Sequence, residues 1–144
     1  MKIRKAIIKL LLTCSIALGG IITLQSPIRA AVHTTPVSMR GTWYGYSKSY
    51  GFWEKIHVTK HTFSYSSSGS HSTLAGKNLS VFSGKTGHHK WVTFQLTGHA
   101  AATDIYWHGK AKVNGHYRKC LIQNGDTAMF HSKVKHYSIP KYYR

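Results

Sequence analysis

The stretch Lys90–Thr97 (KWVTFQLT) alternates along its length, with Val92, Phe94 and Leu96 separated by single intervening residues. Side chains in a β-strand point alternately to the two faces of a sheet, so this spacing puts these apolar side chains on one face. Alternation of this length is the pattern of a strand with one buried face. We therefore expect an antiparallel strand here, with one side in a core and the other in solvent.

Similar patterns recur on both sides of this stretch. Glu54–Thr59 alternates in the same way, and Tyr117–Gln123 and Thr127–Val134 are two further candidate strands. The pairs Asn114-Gly115 and Asn124-Gly125 are typical of tight hairpin turns, because Asn and Gly tolerate positive φ angles. Beyond residue 31 no window favours a helix, so the fold class is expected to be all-β.

The expected architecture is a small antiparallel up-and-down barrel of about seven to eight strands. A two-layered β-sandwich is the alternative arrangement of the same strands. The segment Ser64–Thr73 (SYSSSGSHST) has low complexity and is expected to be a mobile loop or a weak edge strand. Closure into a barrel removes the exposed edges of a sheet, which favours the barrel.

The N-terminal residues have the organisation of a secretory signal peptide. Met1–Lys9 is basic, Leu10–Leu24 is apolar, and the small residues Ala30 and Ala31 follow. The apolar run is short and contains Gly, Ser and Thr, which favours a signal peptide over a membrane-spanning helix. An uncleaved membrane anchor is the alternative.

These features divide the chain into a signal peptide over residues 1–30, a linker over 31–39 and a single β domain over 40–144. The protein is then expected to be secreted, and to be either released or associated with the cell wall. After removal of residues 1–30, 15 basic and three acidic residues remain, which gives a formal charge of +12. All 11 histidines also remain, and their protonation in mild acid would raise the charge further.

Such a large excess of basic over acidic residues favours attraction to an anionic polymer, such as a cell-wall polymer or an acidic polysaccharide. No specific nucleic acid and no stable membrane span after signal removal are expected, and the protein is expected to be a monomer. Cys120 is the one cysteine of the β domain, so no disulfide within the domain is expected, and the thiol is expected to be buried.

The sequence favours a non-enzymatic protein. It contains no Gly-x-Ser-x-Gly motif and too few carboxylates for paired acid chemistry. The histidines lack the spacing of a metal site, so neither a metal nor another cofactor is expected. A small basic nuclease-like hydrolase is the enzymatic alternative, with His57 or His108 acting beside Lys55 or Lys110.

Aromatic side chains among basic residues are the candidate ligand-binding residues, because exposed rings stack on sugars or bases. Core packing is the alternative role for Trp43, Trp91 and Trp107. Trp53 follows a turn predicted at Gly51, and its side chain is the one most expected to be exposed to solvent. The full candidate set is Trp43, Tyr44, Tyr46, Trp53, Trp91, Trp107, Lys55, His57 and Lys90.

The opening Arg40–Tyr44 (RGTWY) resembles the first strand of lipocalins and of avidin-like barrels, which carries Gly-x-Trp-Tyr. This resemblance implies a barrel whose base is filled by Trp43. Together with Lys55–Phe63 (KIHVTKHTF) and the turn Gly125-Asp126, the opening is also similar to a group of small secreted proteins of lactobacilli, of unknown function. That similarity implies an exported protein of a lactic-acid bacterium.

The function expected from these observations is binding of an anionic cell-surface polymer by a secreted, non-enzymatic barrel. Two alternatives remain at this stage. The first is a barrel that binds a small apolar ligand in its interior, and the second is a cationic protein that acts on membranes as an antimicrobial.

Overall fold

The computed structural model describes residues 32–99 and 103–144, in which nine strands form one antiparallel sheet. The predicted signal peptide lies outside the described residues. The strands are β1 (Gly41–Ser47), β2 (Phe52–Val58), β3 (Thr62–Ser67), β4 (Ser70–Ala75), β5 (Leu79–Thr86), β6 (His89–Leu96), β7 (Ile105–Val113), β8 (His116–Gln123) and β9 (Thr127–Phe130). Their spatial order is β4-β3-β2-β1-β9-β8-β7-β6-β5.

The sheet curls into a half-barrel, which confirms the all-β, barrel-like class predicted from the sequence. The sheet has nine strands instead of the expected seven to eight. Ser64–Thr73 does not form a loop but lies within the β3–β4 hairpin, and β4 is an edge strand of the sheet, as the alternative prediction had it. Ser68 and Gly69 turn this hairpin with φ angles of 36° and 85°. On one face of the hairpin the Ser64 and Thr73 hydroxyls lie 2.9 Å apart, and on the other face Phe63, Tyr65 and Leu74 pack into or against the core.

The two Asn-Gly pairs form hairpin turns as predicted. Asn114 and Gly115 have φ angles of 48° and 85°, and Asn124 and Gly125 have φ angles of 51° and 87°. Two successive positive φ angles are the signature of the tight turns that match the twist of antiparallel strands. The expected strand Thr127–Val134 is shorter than predicted, because β9 ends at Phe130.

Side chains of the inner face form the main core. The buried members of this core are Met39, Trp43, Ile56, Val58, Phe63, Leu79, Val81, Val92, Phe94, Tyr106, Leu121 and Met129. Phe63 and Phe94 stack with ring centroids 4.3 Å apart. Trp43 is buried in this core, where its indole N–H donates to the Met39 carbonyl at 3.0 Å and its ring centroid lies 3.7 Å from that of His131.

A second core lies on the outer face of β7, β8 and β9. The C-terminal segment (residues 131–144) covers these strands, and Tyr137 and Ile139 pack there against Trp107 and Phe130. Backbone hydrogen bonds join Lys112 to Ser138 in both directions, at 2.8 and 3.0 Å. The sheet is therefore buried on both faces in this region.

Residues 32–39, which belong to the expected linker, pack on the barrel. Val32 forms an antiparallel bridge with Val81 of β5, and the Thr35 amide donates to the Lys60 carbonyl at 3.0 Å. Val37–Met39 is a short 3-10 turn whose Met39 side chain is buried. None of the helical turns in the described residues has the length or apolar character needed to cross a membrane.

Candidate functional site

The outer face of β1 and β2 brings together five of the side chains predicted from the sequence. Tyr44 lies directly opposite Lys55, and Tyr46 lies opposite Trp53. The rings of Tyr46 and Trp53 meet edge to face, with centroids 5.3 Å apart. Thr42 and His57 are the next opposed pair on this face, and the His57 ring nitrogen lies 2.8 Å from the Thr42 hydroxyl.

Two lysines that the sequence analysis missed complete this surface. The Lys133 ammonium lies 5.4 Å from the centre of the Trp53 ring, and the Lys135 ammonium lies 4.9 Å from the centre of the Tyr46 ring. Both come from the C-terminal segment. The sequence does contain a signal for these two lysines, because they flank the apolar Val134. Val134 is partly buried against the second core, and Lys133 and Lys135 on either side of it are exposed.

We call these seven residues the aromatic–lysine surface: Tyr44, Tyr46, Trp53, Lys55, His57, Lys133 and Lys135. Ser66 of β3 pairs with Lys55, and His71 of β4 pairs with Ser66, so the surface continues across the sheet. A groove of about 430 Å³ runs between Trp53, Lys133 and the β3–β4 turn, and Tyr44, Lys55 and the buried Glu54 also line it. Tyr46, His57 and Lys135 lie on the same surface but do not line the groove. Half-buried rings beside exposed ammonium groups therefore line an open groove.

The remaining predicted residues do not belong to this surface. Trp43 is only 6% exposed in the main core, and Trp107 is 8% exposed beneath the C-terminal segment. Trp91 is half-buried over Gly84 on the outer face of β5 and β6, and its N–H donates to the Thr86 hydroxyl at 3.2 Å. Lys90 is exposed on the inner face of β6, on another side of the molecule.

The residues named for a nuclease-like alternative fall into two separate places. His57 and Lys55 share the outer face of β2, whereas His108 and Lys110 share the inner face of β7. Burial lowers the pKa of His108 below its ordinary value. Cys120 is buried as predicted, and burial raises the pKa of its thiol to about 12, so it stays protonated at neutral pH.

All three acidic residues of the chain lie near one another at one end of the barrel. The Asp104 carboxylate accepts hydrogen bonds from the Gln123 amide at 2.9 Å and from the Asn124 amide at 2.6 Å. Glu54 is 7% exposed, and its Oε2 atom has no hydrogen-bond partner in the described structure. Burial raises the pKa of Glu54, the nearby Gln123 amide partly offsets the rise, and Asp104 and Asp126 add to it.

The substitution Glu54→Gln is expected to raise the free energy of unfolding at pH 7 by about 1 kcal/mol. A carboxyl whose pKa is raised by folding stabilises the protein below its unfolded pKa, and this contribution is lost as the pH rises through its folded value. Glutamine has the same shape and no charge to desolvate. Thermal unfolding from pH 4 to pH 7 should show a difference between variant and parent that grows with pH.

Glu54→Ala is the control for this prediction, because it removes the charge but opens a cavity, and it is expected to destabilise the protein at every pH. A fall in stability of Glu54→Gln at pH 7 would contradict the prediction and would mean that the ionised carboxylate stabilises the fold.

No protein-family model, curated protein or solved structure matches the chain. The resemblances to lipocalins, to avidin-like barrels and to secreted proteins of lactobacilli therefore stay predictions. The function is inferred from the geometry and charge of the described residues.

Proposed function

We propose that this chain is a secreted, non-enzymatic protein that binds an anionic cell-surface polymer through the aromatic–lysine surface. The observation that carries the proposal is the placement of Lys133 and Lys135 over the Trp53 and Tyr46 rings. The rings hold the ammonium groups beside the groove, so the cations are arranged before a ligand arrives.

An anionic polysaccharide or a polymer of sugar and phosphate fits this surface by two kinds of contact. Its anionic groups meet Lys55, Lys133 and Lys135, and its sugar rings stack on the exposed parts of Tyr44 and Trp53. The serine hydroxyls of the β3–β4 turn line the same groove and supply hydrogen bonds. Charge gives attraction from a distance, and the rings give contact at short range.

The overall charge supports the same partner. The protein carries 20 basic and three acidic residues, and the acidic residue that lines the groove, Glu54, is 7% exposed and has a pKa raised by burial. Removal of the expected signal peptide would leave a strongly basic, monomeric domain outside the cell. Binding to wall polymer would then keep it at the surface, and the histidines would strengthen this binding in acid.

The test is binding of the purified protein to heparin and to purified teichoic acid over a series of salt concentrations, at pH 7 and pH 5. We expect affinity to fall steeply with salt and to rise at pH 5. The double variant Lys55→Gln/Lys133→Gln is expected to bind about tenfold more weakly at low salt, because two groove contacts are lost. Trp53→Ala is expected to weaken binding to teichoic acid with little change in the salt dependence.

The matched control is Lys77→Gln/Lys141→Gln, which removes the same charge from exposed sites elsewhere. Equal weakening by both double variants would contradict the proposal, since net charge alone would then explain binding. Release of dye from vesicles of anionic lipid, without binding to teichoic acid, would support a membrane-active protein instead.

A further inference from the structure

We propose that a second site, on the inner face of the barrel at the β5–β6 hairpin, binds a small amphipathic anion, namely an aliphatic carboxylate. This site is separate from the aromatic–lysine surface and does not depend on the function proposed for it. Four observations carry the inference: a cleft, an opposed pair of lysines, further basic residues on the same face, and the distance of the carboxylates from it.

The cleft has a volume of about 650 Å³ and lies between the 3-10 turn before β1 and strands β5 to β7. Pro36, Met39 and Val92 supply apolar walls, the half-buried Trp91 reaches the cleft from the outer face, and Ser83 supplies a hydroxyl. Binding sites for small molecules have this size and this mainly apolar lining with few polar groups. The cleft is therefore large enough for a medium-length aliphatic chain.

Two opposed lysines line the cleft. Lys85 of β5 and Lys90 of β6 are direct partners in the antiparallel register, and both line the cleft. Like charges placed directly opposite each other on one face destabilise a sheet. An anion held between the two ammonium groups removes this repulsion and gains two charge-assisted hydrogen bonds. The pair thus has the arrangement of a carboxylate-binding site.

Further basic residues lie beside this pair on the inner face. His108 of β7 lines the cleft itself. Lys110 comes two residues later on the same face and is the direct partner of Lys119 of β8, which makes a second opposed lysine pair. Both of these lysines are exposed. They extend the positive region outward from the cleft, where it attracts an anion toward the opening.

The carboxylates lie at the other end of these strands. The β5–β6 and β7–β8 hairpins share one end of the antiparallel array, because neighbouring strands reverse direction. Asp104 and Asp126 belong to the β6–β7 and β8–β9 connections, which share the opposite end. Among the described residues that line the cleft there is no carboxylate to compete for the lysines.

The chemical class of the ligand follows from this lining. The apolar walls argue against a bare inorganic anion as the preferred ligand, because such an ion would leave the apolar side chains in contact with water. The opposed lysines exclude a neutral hydrocarbon, because their charges would remain unpaired. A molecule with one carboxylate and a flexible apolar chain satisfies both parts, with the carboxylate between Lys85 and Lys90 and the chain against Met39 and Val92.

The test is isothermal titration of the purified full chain with decanoate, 1-decanol and inorganic phosphate as separate probes at low salt. We expect decanoate to bind, and the alcohol and phosphate each to bind at least about tenfold more weakly. Equal binding of decanol would overturn the role of the lysines. Equal binding of phosphate would overturn the role of the apolar walls, and absence of decanoate binding would overturn the site.

Two variants of equal charge locate the site. Lys85→Gln/Lys90→Gln is expected to weaken decanoate binding by about tenfold or more, while Lys77→Gln/Lys141→Gln, at exposed sites outside both surfaces, leaves it unchanged. The first variant should also unfold at a higher temperature than the parent without ligand, since the repulsion across β5 and β6 is gone. Loss of binding in a more stable protein excludes misfolding as the cause. Equal loss in both variants would overturn the assignment.

Discussion

Replacement of Trp43 by alanine is expected to lower the free energy of unfolding by about 3–5 kcal/mol, a large part of the stability of a domain of this size. Trp43 is 6% exposed and belongs to the main core. Its loss leaves a large cavity, and it also leaves the Met39 carbonyl without its indole donor and the His131 ring without its stacking partner. Urea unfolding followed by far-ultraviolet circular dichroism measures the change.

Trp43→Phe is the control for this prediction. Phenylalanine keeps most of the buried apolar surface and loses the hydrogen bond to Met39, so we expect a smaller loss of about 1–2 kcal/mol. A Trp43→Ala protein as stable as the parent would contradict the assignment of this residue to the core.

Deletion of residues 137–144 is expected to have the second large effect, a loss of several kcal/mol, through exposure of the second core. Tyr137 and Ile139 are 7% and 6% exposed in the intact chain. The deletion removes both side chains, the two backbone hydrogen bonds between Lys112 and Ser138, and the hydrogen bond from the Tyr137 hydroxyl to the Tyr46 carbonyl at 2.9 Å. Thermal unfolding measures the loss.

The reactivity of Cys120 gives an independent measurement of the same deletion. In the intact protein this thiol is 2% exposed and its pKa is raised to about 12, so we expect slow reaction with an aromatic disulfide reagent at pH 8. After the deletion the outer face of β8 opens and the reaction should be much faster. The substitution Tyr142→Ser, at an exposed position of the same segment, should leave both stability and reactivity near those of the parent. Unchanged reactivity after the deletion would contradict the covering role of the segment.

The parts of the fold that follow from local patterns are predictable from this sequence. Alternation in Lys90–Thr97 predicts β6 and its buried face, and the Asn-Gly pairs predict their turns, because each depends on neighbouring residues alone. The β3–β4 hairpin places Phe63, Tyr65 and Leu74 at the inner face, but its many serines have the low complexity of a loop or a weak edge strand. It forms a hairpin because β2 offers a strand edge and the hydroxyls of Ser64 and Thr73 pair across the sheet.

The candidate site is predictable only in part, because part of it depends on contacts between segments that are distant in the sequence. Tyr44, Tyr46 and Trp53 could be named because exposed and buried positions alternate within one strand. Distant segments decide which face of a strand is covered. The C-terminal segment buries Trp107 and places the Lys133 ammonium beside the Trp53 ring. Alternation within a strand carries no information about such a covering segment.

The placement of β9 between β1 and β8 has a consequence for the order of events during folding. Strands β1 to β4 pair with one another in chain order, so this meander can form early, whereas the other edge of β1 pairs with β9. Gly45 of β1 pairs with Met129 of β9, and strands β2 to β8 lie between them along the chain. Contacts between such distant residues close slowly. We therefore expect the meander of β1 to β4 to join the meander of β5 to β9 late in folding, when β9 pairs with β1.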